Sequence, residues 1–286
     1  MLTYYECIPC FIKQTLNVME LVQLDETRRE ETLRCVLHKM STIDFNLSPP
    51  AMAREIHHLI RQASGIDDPY LAAKQRDQQL ALQLLPQLEQ DVLMADNKLY
   101  AAVLLAITGN SIDHGVYHGM SVEQILVSIE QGLKSPLQGD INEFAAAIKQ
   151  ANNILYLGDN AGEIIFDKIL IQQLPLDKTT FAVRGGPILN DALRVDAEQA
   201  GITELVPVID NGDNSPGTIL QYCSPDFVEK FNQADLIIAK GQGNYETLSD
   251  SNANIFFLLK AKCPVIARDI GCEVGSALLY QHCAKD

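Results

Sequence analysis

The chain has 286 residues, of which 47% are hydrophobic and 21% are charged, with 17 Gly, 12 Pro and 7 Cys. This composition is typical of a globular protein and excludes the disordered, collagen-like and disulfide-scaffold classes. The 22 basic and 37 acidic residues give a net charge of −15. We therefore expect no nucleic-acid partner and no anionic membrane partner, because both require clustered positive charge.

The N-terminal segment does not read as a secretory signal, because Glu6 and Lys13 interrupt its apolar residues. No apolar run approaches the ~18 residues that a membrane-spanning helix needs. The cysteines are odd in number and scattered along the chain, which is typical of free thiols in a reducing compartment. These features predict a cytoplasmic protein, and they say nothing of its oligomeric state.

The first part of the chain has a helical pattern. Residues 11–24, 27–40 and 101–110 carry apolar side chains at spacings of three and four. Breaks fall at 48–50, 64–69 and 139–140, where Pro, Gly, Ser and Asp cluster. We predict an N-terminal helical domain over residues 1–150, with six or seven helices and no strand.

From residue 151 onward, short aliphatic runs alternate with amphipathic stretches, which is typical of a parallel α/β sheet. We predict a three-layer, Rossmann-like domain over residues 151–286 with a mainly parallel sheet, so that the whole chain is an α/β protein. The predicted strands are 154–157, 181–183, 205–209, 236–239 and 265–267. The predicted helices are 162–174, 191–200, 226–233 and 254–260.

Polar loops follow all five predicted strands, and in an open parallel sheet such loops line the ligand crevice. They are residues 158–163, 184–187, 210–214, 240–246 and 268–269. In the first loop, Asp159 and Asn160 place a carboxylate beside an amide oxygen, a donor set that hard divalent cations prefer. Asp191 is the best candidate for a second carboxylate. The competing interpretation is that these side chains only cap helices.

The fourth loop supplies positive charge. Lys240 stands at the end of its strand, and Gly241 and Gly243 would let backbone N–H groups approach an anion. The loop lacks the order of a Walker A motif, and the first loop lacks the spacing of a dinucleotide fingerprint. We therefore expect a phosphate to be held by Lys240, by Arg184 and by a metal ion.

Several of these segments together resemble a known family. GDNAGEIIFD, RGGPILNDA and AKGQGNYE, with the N-terminal Cys7-Ile8-Pro9-Cys10 and the segment 109–113, are similar to the damage-control phosphatases of the domain-of-unknown-function-89 family. The resemblance covers essentially the whole chain in the same order. The Cys-x-x-Cys start resembles the mainly prokaryotic branch of that family.

The resemblance implies hydrolysis of small phosphorylated metabolites, such as sugar phosphates or damaged phosphometabolites, with Mn²⁺, Co²⁺, Ni²⁺ or Mg²⁺ as cofactor. It places the metal on Asp159, Asn160 and Asp191, and the phosphate on Lys240. It also brings Asn110 and Asp113 over from the helical half to the substrate. Arg184, Gly241, Gly243 and Asn244 complete the predicted substrate site.

Two mechanisms fit these residues: attack by a metal-activated water, or attack by Asp159 or Asp191 to form an aspartyl phosphate. We favour the water, because both carboxylates would bind the ion. Two other functions remain open, an adenosyl-cofactor methyltransferase and a non-catalytic protein that binds metal or sugar phosphate. For Cys7 and Cys10, packing as small hydrophobic side chains is favoured over a zinc site, since no second pair of ligands follows.

Overall fold

The computed structural model describes residues 1–109 and 122–282. Within these ranges the chain forms twelve α-helices and one seven-stranded sheet. The predicted site residues Asn110 and Asp113 lie outside the described residues. In the described ranges, no helix combines the length and the apolar character needed to cross a membrane.

The first part of the chain is helical, as predicted. Its helices are α1 (Ile8–Leu21), α2 (Glu26–Met40), α3 (Pro49–Ser64), α4 (Leu71–Met94), α5 (Lys98–Gly109), α6 (Val122–Leu133) and α7 (Ile141–Gln150). The predicted break at 48–50 is the start of α3, where the Ser48 side chain accepts a hydrogen bond from the Ala51 N–H and Pro49 occupies the first helical turn. Asp140 caps α7 in the same way.

The second part alternates strands and helices. Its strands are β2 (Ile154–Leu157), β3 (Thr179–Val183), β4 (Val208–Asp210), β5 (Leu236–Lys240), β6 (Ile255–Lys260) and β7 (Ala277–His282). Its helices are α8 (Ile164–Ile171), α9 (Arg194–Gln199), α10 (Pro225–Gln233), α11 (Gly241–Leu248) and α12 (Pro264–Ile270). A two-residue strand in the helical part, β1 (Leu137–Gln138), completes the sheet order β1-β7-β6-β5-β2-β3-β4.

Neighbouring strands are parallel except for β6 and β7, which confirms the predicted mainly parallel α/β fold. The predicted absence of strands before residue 150 is wrong, because β1 pairs with β7. The predicted strand over 205–209 is also displaced, since β4 begins only at Val208. The predicted domain boundary at residue 150 stays a prediction.

Two predicted elements near the C-terminus have the wrong type. Residues 254–260 were predicted to be a helix, but Ile255–Lys260 is the strand β6. Its first five side chains are all buried, because helices cover both faces of the sheet here, so the alternation that marks a half-exposed strand is lost. Residues 265–267 were predicted to be a strand, but they lie in α12, which Pro264 begins.

The described chain has three layers around the sheet and a separate helical cluster. One face of the sheet packs against α4, α5, α7, α8 and α9 in the largest hydrophobic cluster. The other face packs against α10, α11 and α12. Helices α1, α2 and α3 share a smaller core that contains Phe11, Val18, Val36 and Met52.

The strand order places a topological switch point between β2 and β5. The chain runs from β2 to β3 and β4 on one side, and then returns to β5 and β6 on the other side. Because all five strands are parallel, their carboxyl ends meet at one edge of the sheet. Ligand crevices in open α/β sheets form at such a point.

Candidate active site

The loops after β2 and β3 are joined by backbone hydrogen bonds at the switch point. Asn160 and Asp191 form an isolated antiparallel bridge. The Ala192 N–H donates to the Asp159 carbonyl at 2.7 Å, and the Ala161 N–H donates to the Asn190 carbonyl at 2.9 Å. The structure therefore brings Asp191 to the adjacent pair Asp159 and Asn160, so that the three predicted metal ligands lie at one place.

Arg184 lies between the two aspartates of this group. Its Nε donates to Asp191 Oδ2 at 2.7 Å, and its Nη2 lies 3.6 Å from Asp159 Oδ1. Arg184 is only 3% exposed, and it is not among the described residues that line the neighbouring cavity. Its position indicates that it stabilises the two carboxylates, whereas the sequence predicted a contact with phosphate.

The carboxyl group of Asp159 lies in an unfavourable electrostatic environment. Burial raises its pKa well above the ordinary value, and the nearby charges of Asp191 and Glu163 raise it further. Arg184 and Lys262 offset part of this rise. In the absence of another cation, this arrangement disfavours the ionised form of Asp159.

Gly241, at the start of α11, lies directly against this carboxylate. Its φ is +77°, and a Cβ at this position would overlap Asp159 Oδ2. Both the left-handed backbone and the close approach therefore require glycine. The sequence predicted that Gly241 presents backbone to an anion, and in the structure the neighbouring anion is the Asp159 side chain.

Gly241→Ala is expected to lower the free energy of unfolding by about 3 kcal/mol, because left-handed strain of about 1–2 kcal/mol adds to an overpacking term of about 1–3 kcal/mol. Gly271→Ala is the matched control, since Gly271 has φ +84° and open space around its missing side chain. Gly271→Ala is expected to lower the free energy of unfolding by about 1 kcal/mol. Urea unfolding measures both values, and equal losses would contradict the proposed overlap with Asp159.

The ammonium group of Lys240 points into the protein. Lys240 is fully buried, and its Nζ donates to Asp167 Oδ1 at 2.6 Å, to the Ala106 carbonyl at 2.9 Å and to Glu163 Oε1. Burial by itself would lower the Lys240 pKa, but the two carboxylates raise it on balance. The structure therefore does not bring Lys240 to the cavity, where the sequence predicted a phosphate contact.

Asn244 is also an internal residue. Its Nδ2 donates to the Lys240 carbonyl at 2.7 Å, and its Oδ1 accepts from Thr218 Oγ1 at 2.8 Å and from Arg184 Nη2 at 3.5 Å. It is fully buried, so it connects the β5 loop to Arg184. This geometry does not favour the direct contact between Asn244 and substrate that the sequence predicted.

A cavity of about 400 Å³ lies above the joined loops. Asp159, Asn160 and Asp191 line it on the sheet side. The N-terminal helical cluster forms the opposite wall with Phe11, Gln14, Pro49, Pro50 and Ala53. From α11, which follows β5, Gln242, Gly243 and Glu246 line the cavity. The sequence did not predict the wall formed by α1 and α3.

Lys262 supplies a cation to this cavity, and the sequence analysis missed it. It lies two positions after the end of β6 and is exposed, and its charge lowers the pKa of Asp159. The reason for the omission is the wrong assignment of β6 as a helix, which removed the loop 261–263 from the predicted strand ends. The predicted fifth loop, Arg268-Asp269, lies in α12, where Arg268 pairs with Glu6 and Asp269 accepts from Tyr245.

Three thiols, those of Cys7, Cys10 and Cys263, line the same cavity. Burial raises the pKa values of Cys7 and Cys10, so both favour the protonated form. Within residues 1–109 and 122–282, no three His, Cys, Asp or Glu side chains are arranged to hold a metal ion. A metal ion at the Asp-Asn-Asp group would therefore depend on the amide of Asn160 and on water or substrate oxygens.

Comparison with known proteins agrees with this architecture. The sequence profile of the damage-control phosphatase ARMT1-like domain matches residues 3–278. A damage-control phosphatase of Pyrococcus horikoshii is 38% identical over 285 residues, which cover 97% of each chain. A damage-control phosphatase of Archaeoglobus fulgidus is 33% identical over 282 residues, covering 94% of this chain and 95% of the relative.

A solved structure agrees as well. The crystal structure of a DUF89 family protein from Pyrococcus horikoshii superposes with a TM-score of 0.91 at 35% sequence identity and covers 99% of both chains. Profile, relatives and structure all extend over nearly the whole chain, so the match includes both the helical part and the sheet. The chain therefore belongs to the family of the damage-control phosphatase ARMT1-like domain, as the motifs predicted.

Proposed function

We propose that this chain is a phosphatase that hydrolyses small phosphorylated metabolites, with a divalent ion held by Asp159, Asn160 and Asp191. The observation that carries the proposal is the meeting of these three oxygen donors on the sheet side of the cavity. The relatives named as damage-control phosphatases support the reaction class. Sugar phosphates and damaged phosphometabolites are the substrate classes to test.

The charges of the centre support a divalent ion. The carboxylates of Asp159, Asp191 and Glu163 belong to one cluster with the cations of Arg184 and Lys240. Negative charge is in excess there, and burial makes it costly. A divalent cation would relieve the repulsion between Asp159 and Asp191 that raises the Asp159 pKa. Carboxylate and amide oxygens suit Mg²⁺ and Mn²⁺, which commonly keep several waters.

Each side chain then has a role in hydrolysis. When bound, a divalent ion polarises a phosphoryl oxygen and lowers the pKa of water. Arg184 fixes the orientation of Asp159 and Asp191 through the hydrogen bond and the ion pair described above. Lys262, which lines the same cavity, neutralises the phosphate oxygens. Because Asp159 and Asp191 hold the ion, we favour water over either carboxylate as the nucleophile.

The test is hydrolysis of p-nitrophenyl phosphate by the full chain after chelation, and again after addition of Mn²⁺, Co²⁺, Ni²⁺ or Mg²⁺. We expect no phosphate release without an ion and release with at least one of them. A panel of sugar phosphates and other phosphorylated metabolites then identifies the substrate class. Absence of turnover with every ion and every substrate, together with tight binding of an adenosyl cofactor, would overturn the proposal in favour of a methyltransferase.

A further inference from the structure

The side-chain amide of Asn160 has an NH₂ group at one end and an oxygen at the other, and the structure shows which neighbours contact each. Its Nδ2 donates to Asp159 Oδ2 at 3.1 Å and to Glu163 Oε2 at 3.0 Å. A carboxylate only accepts hydrogen bonds, so Glu163, which also accepts from Lys240, requires the NH₂ end of the amide. The remaining end, Oδ1, accepts no hydrogen bond within the described residues, and Asn160 lines the cavity.

The side chain of Glu163 is itself fixed by hydrogen bonds. It is fully buried, and its two oxygens are divided between Asn160 at Oε2 and Lys240 at Oε1. Lys240 is in turn fixed by Asp167 and by the Ala106 carbonyl of α5. A hydrogen-bonded chain therefore runs from α5 through Lys240 and Glu163 to the cavity.

We propose that Glu163, held by Lys240, is a positioning residue that keeps the Oδ1 atom of Asn160 directed toward the divalent ion. This inference rests on the proposed function, because it assumes that an ion binds at Asp159, Asn160 and Asp191. If the amide turned over, its NH₂ group would face the cation and would repel it. Lys240 thus contributes to the site indirectly, through Glu163 and Asn160.

Glu163→Gln tests the inference, because the introduced glutamine carries a donor as well as an acceptor and no longer enforces one orientation of Asn160. Loss of an outer-shell partner typically weakens metal binding 10–100-fold. We expect the Kd for Mn²⁺ alone, measured by calorimetry on the metal-free full chain, to rise by at least about tenfold. This measurement is independent of turnover.

Asp196→Asn is the matched control. Asp196 is also buried, 4% exposed, and its Oδ2 lies 3.8 Å from Nζ of another buried lysine, Lys74. It has no hydrogen bond with Asn160, so its replacement should weaken folding in a similar way and leave the Kd for Mn²⁺ within about twofold. Thermal unfolding of both variants measures the structural part of the effect.

The double variant N160D/E163Q exchanges donor and acceptor in the hydrogen bond between the side chains at positions 160 and 163. A glutamine NH₂ then donates to a carboxylate at position 160, and the net charge of the pair is unchanged. We expect N160D to raise the affinity for Mn²⁺ more in the Glu163→Gln background than in the natural chain, because only there is the orientation of the amide lost, whereas added ligand charge alone would raise it equally in both. If Glu163→Gln does not fold, the double variant is compared with N160D alone. Equal affinities support the positioning role, because a carboxylate at position 160 presents an oxygen in either orientation, and weaker binding by the double variant contradicts it.

The outcomes separate the two proposals. If the natural chain binds Mn²⁺ and hydrolyses phosphate esters while Glu163→Gln binds Mn²⁺ equally well, the positioning role is wrong and the proposed function stands. An equal loss of affinity in Asp196→Asn, or a double variant that folds without regaining Mn²⁺ binding, also overturns the positioning role. If the natural chain binds and uses none of the four ions, both proposals fail.

Discussion

Asp159→Asn is expected to abolish metal-dependent phosphate release, with a loss in kcat/KM of at least about 1,000-fold. The substitution keeps the size of the side chain and removes the charge that would hold the ion. Asp159 is 8% exposed and lines the cavity beside Asn160 and Asp191, at the place where the ion is proposed to bind. The measurement is steady-state hydrolysis with the most effective ion.

Asp196→Asn again provides the control, since it removes one buried carboxylate outside the cavity. It is expected to keep kcat/KM within about threefold of the natural chain at a temperature where both are folded. If Asp159→Asn retained metal-dependent activity, the assignment of the ion to this group would be wrong.

Lys262→Met is expected to lower kcat/KM by about 100-fold, mainly through a higher KM. A charge-assisted hydrogen bond to a phosphate oxygen is lost, and such a bond contributes about 1.5–3 kcal/mol, or roughly 10–100-fold in binding. Lys262 is exposed at the cavity, so folding should be little affected. Steady-state kinetics with the best substrate of the panel measures the change.

Lys260→Met is the matched control, because Lys260 lies two positions earlier, at the end of β6, and is not among the described residues that line the cavity. It should leave KM unchanged. Lys240→Met should instead lower the free energy of unfolding by about 3–5 kcal/mol, because it leaves Glu163 and Asp167 buried without their cation. A normal KM in Lys262→Met would show that Lys262 does not contact the phosphate.

The parts of the fold that the sequence predicted are those with a local signal. The amphipathic helices before residue 150 show apolar spacings of three and four, and β2, β3 and β5 are short aliphatic or β-branched runs bounded by polar loops. Strand β6 is a continuous apolar run too, but its sequence IFFLLK contains one β-branched residue and two leucines, so it resembles a buried helix segment. Its wrong assignment also hid Lys262, since the position of that lysine at the sheet edge follows only from the strand before it.

Prediction of the site from the sequence has the same limit for single side chains. The motifs identified Asp159, Asn160 and Asp191, and the structure brings these residues together. The direction of the Lys240 and Asn244 side chains could not be predicted, because it depends on Ala106 and Thr218, which are distant in sequence. A lysine at a strand end can face the ligand or the interior, and residue type and position do not distinguish the two.

Because β2 pairs with β5, which is synthesised later, the site forms in a defined order during synthesis. Ile154 pairs with Leu236, so the strands β3 and β4 are made before β2 acquires its second neighbour. Gly241 and Lys240, which contact Asp159 and Glu163, leave the ribosome only after most of the sheet. A nascent chain that ends before β5 therefore contains all three oxygen donors together with Arg184 and Glu163, but it lacks the Lys240 that fixes Glu163. The site becomes complete only when β5 joins the sheet.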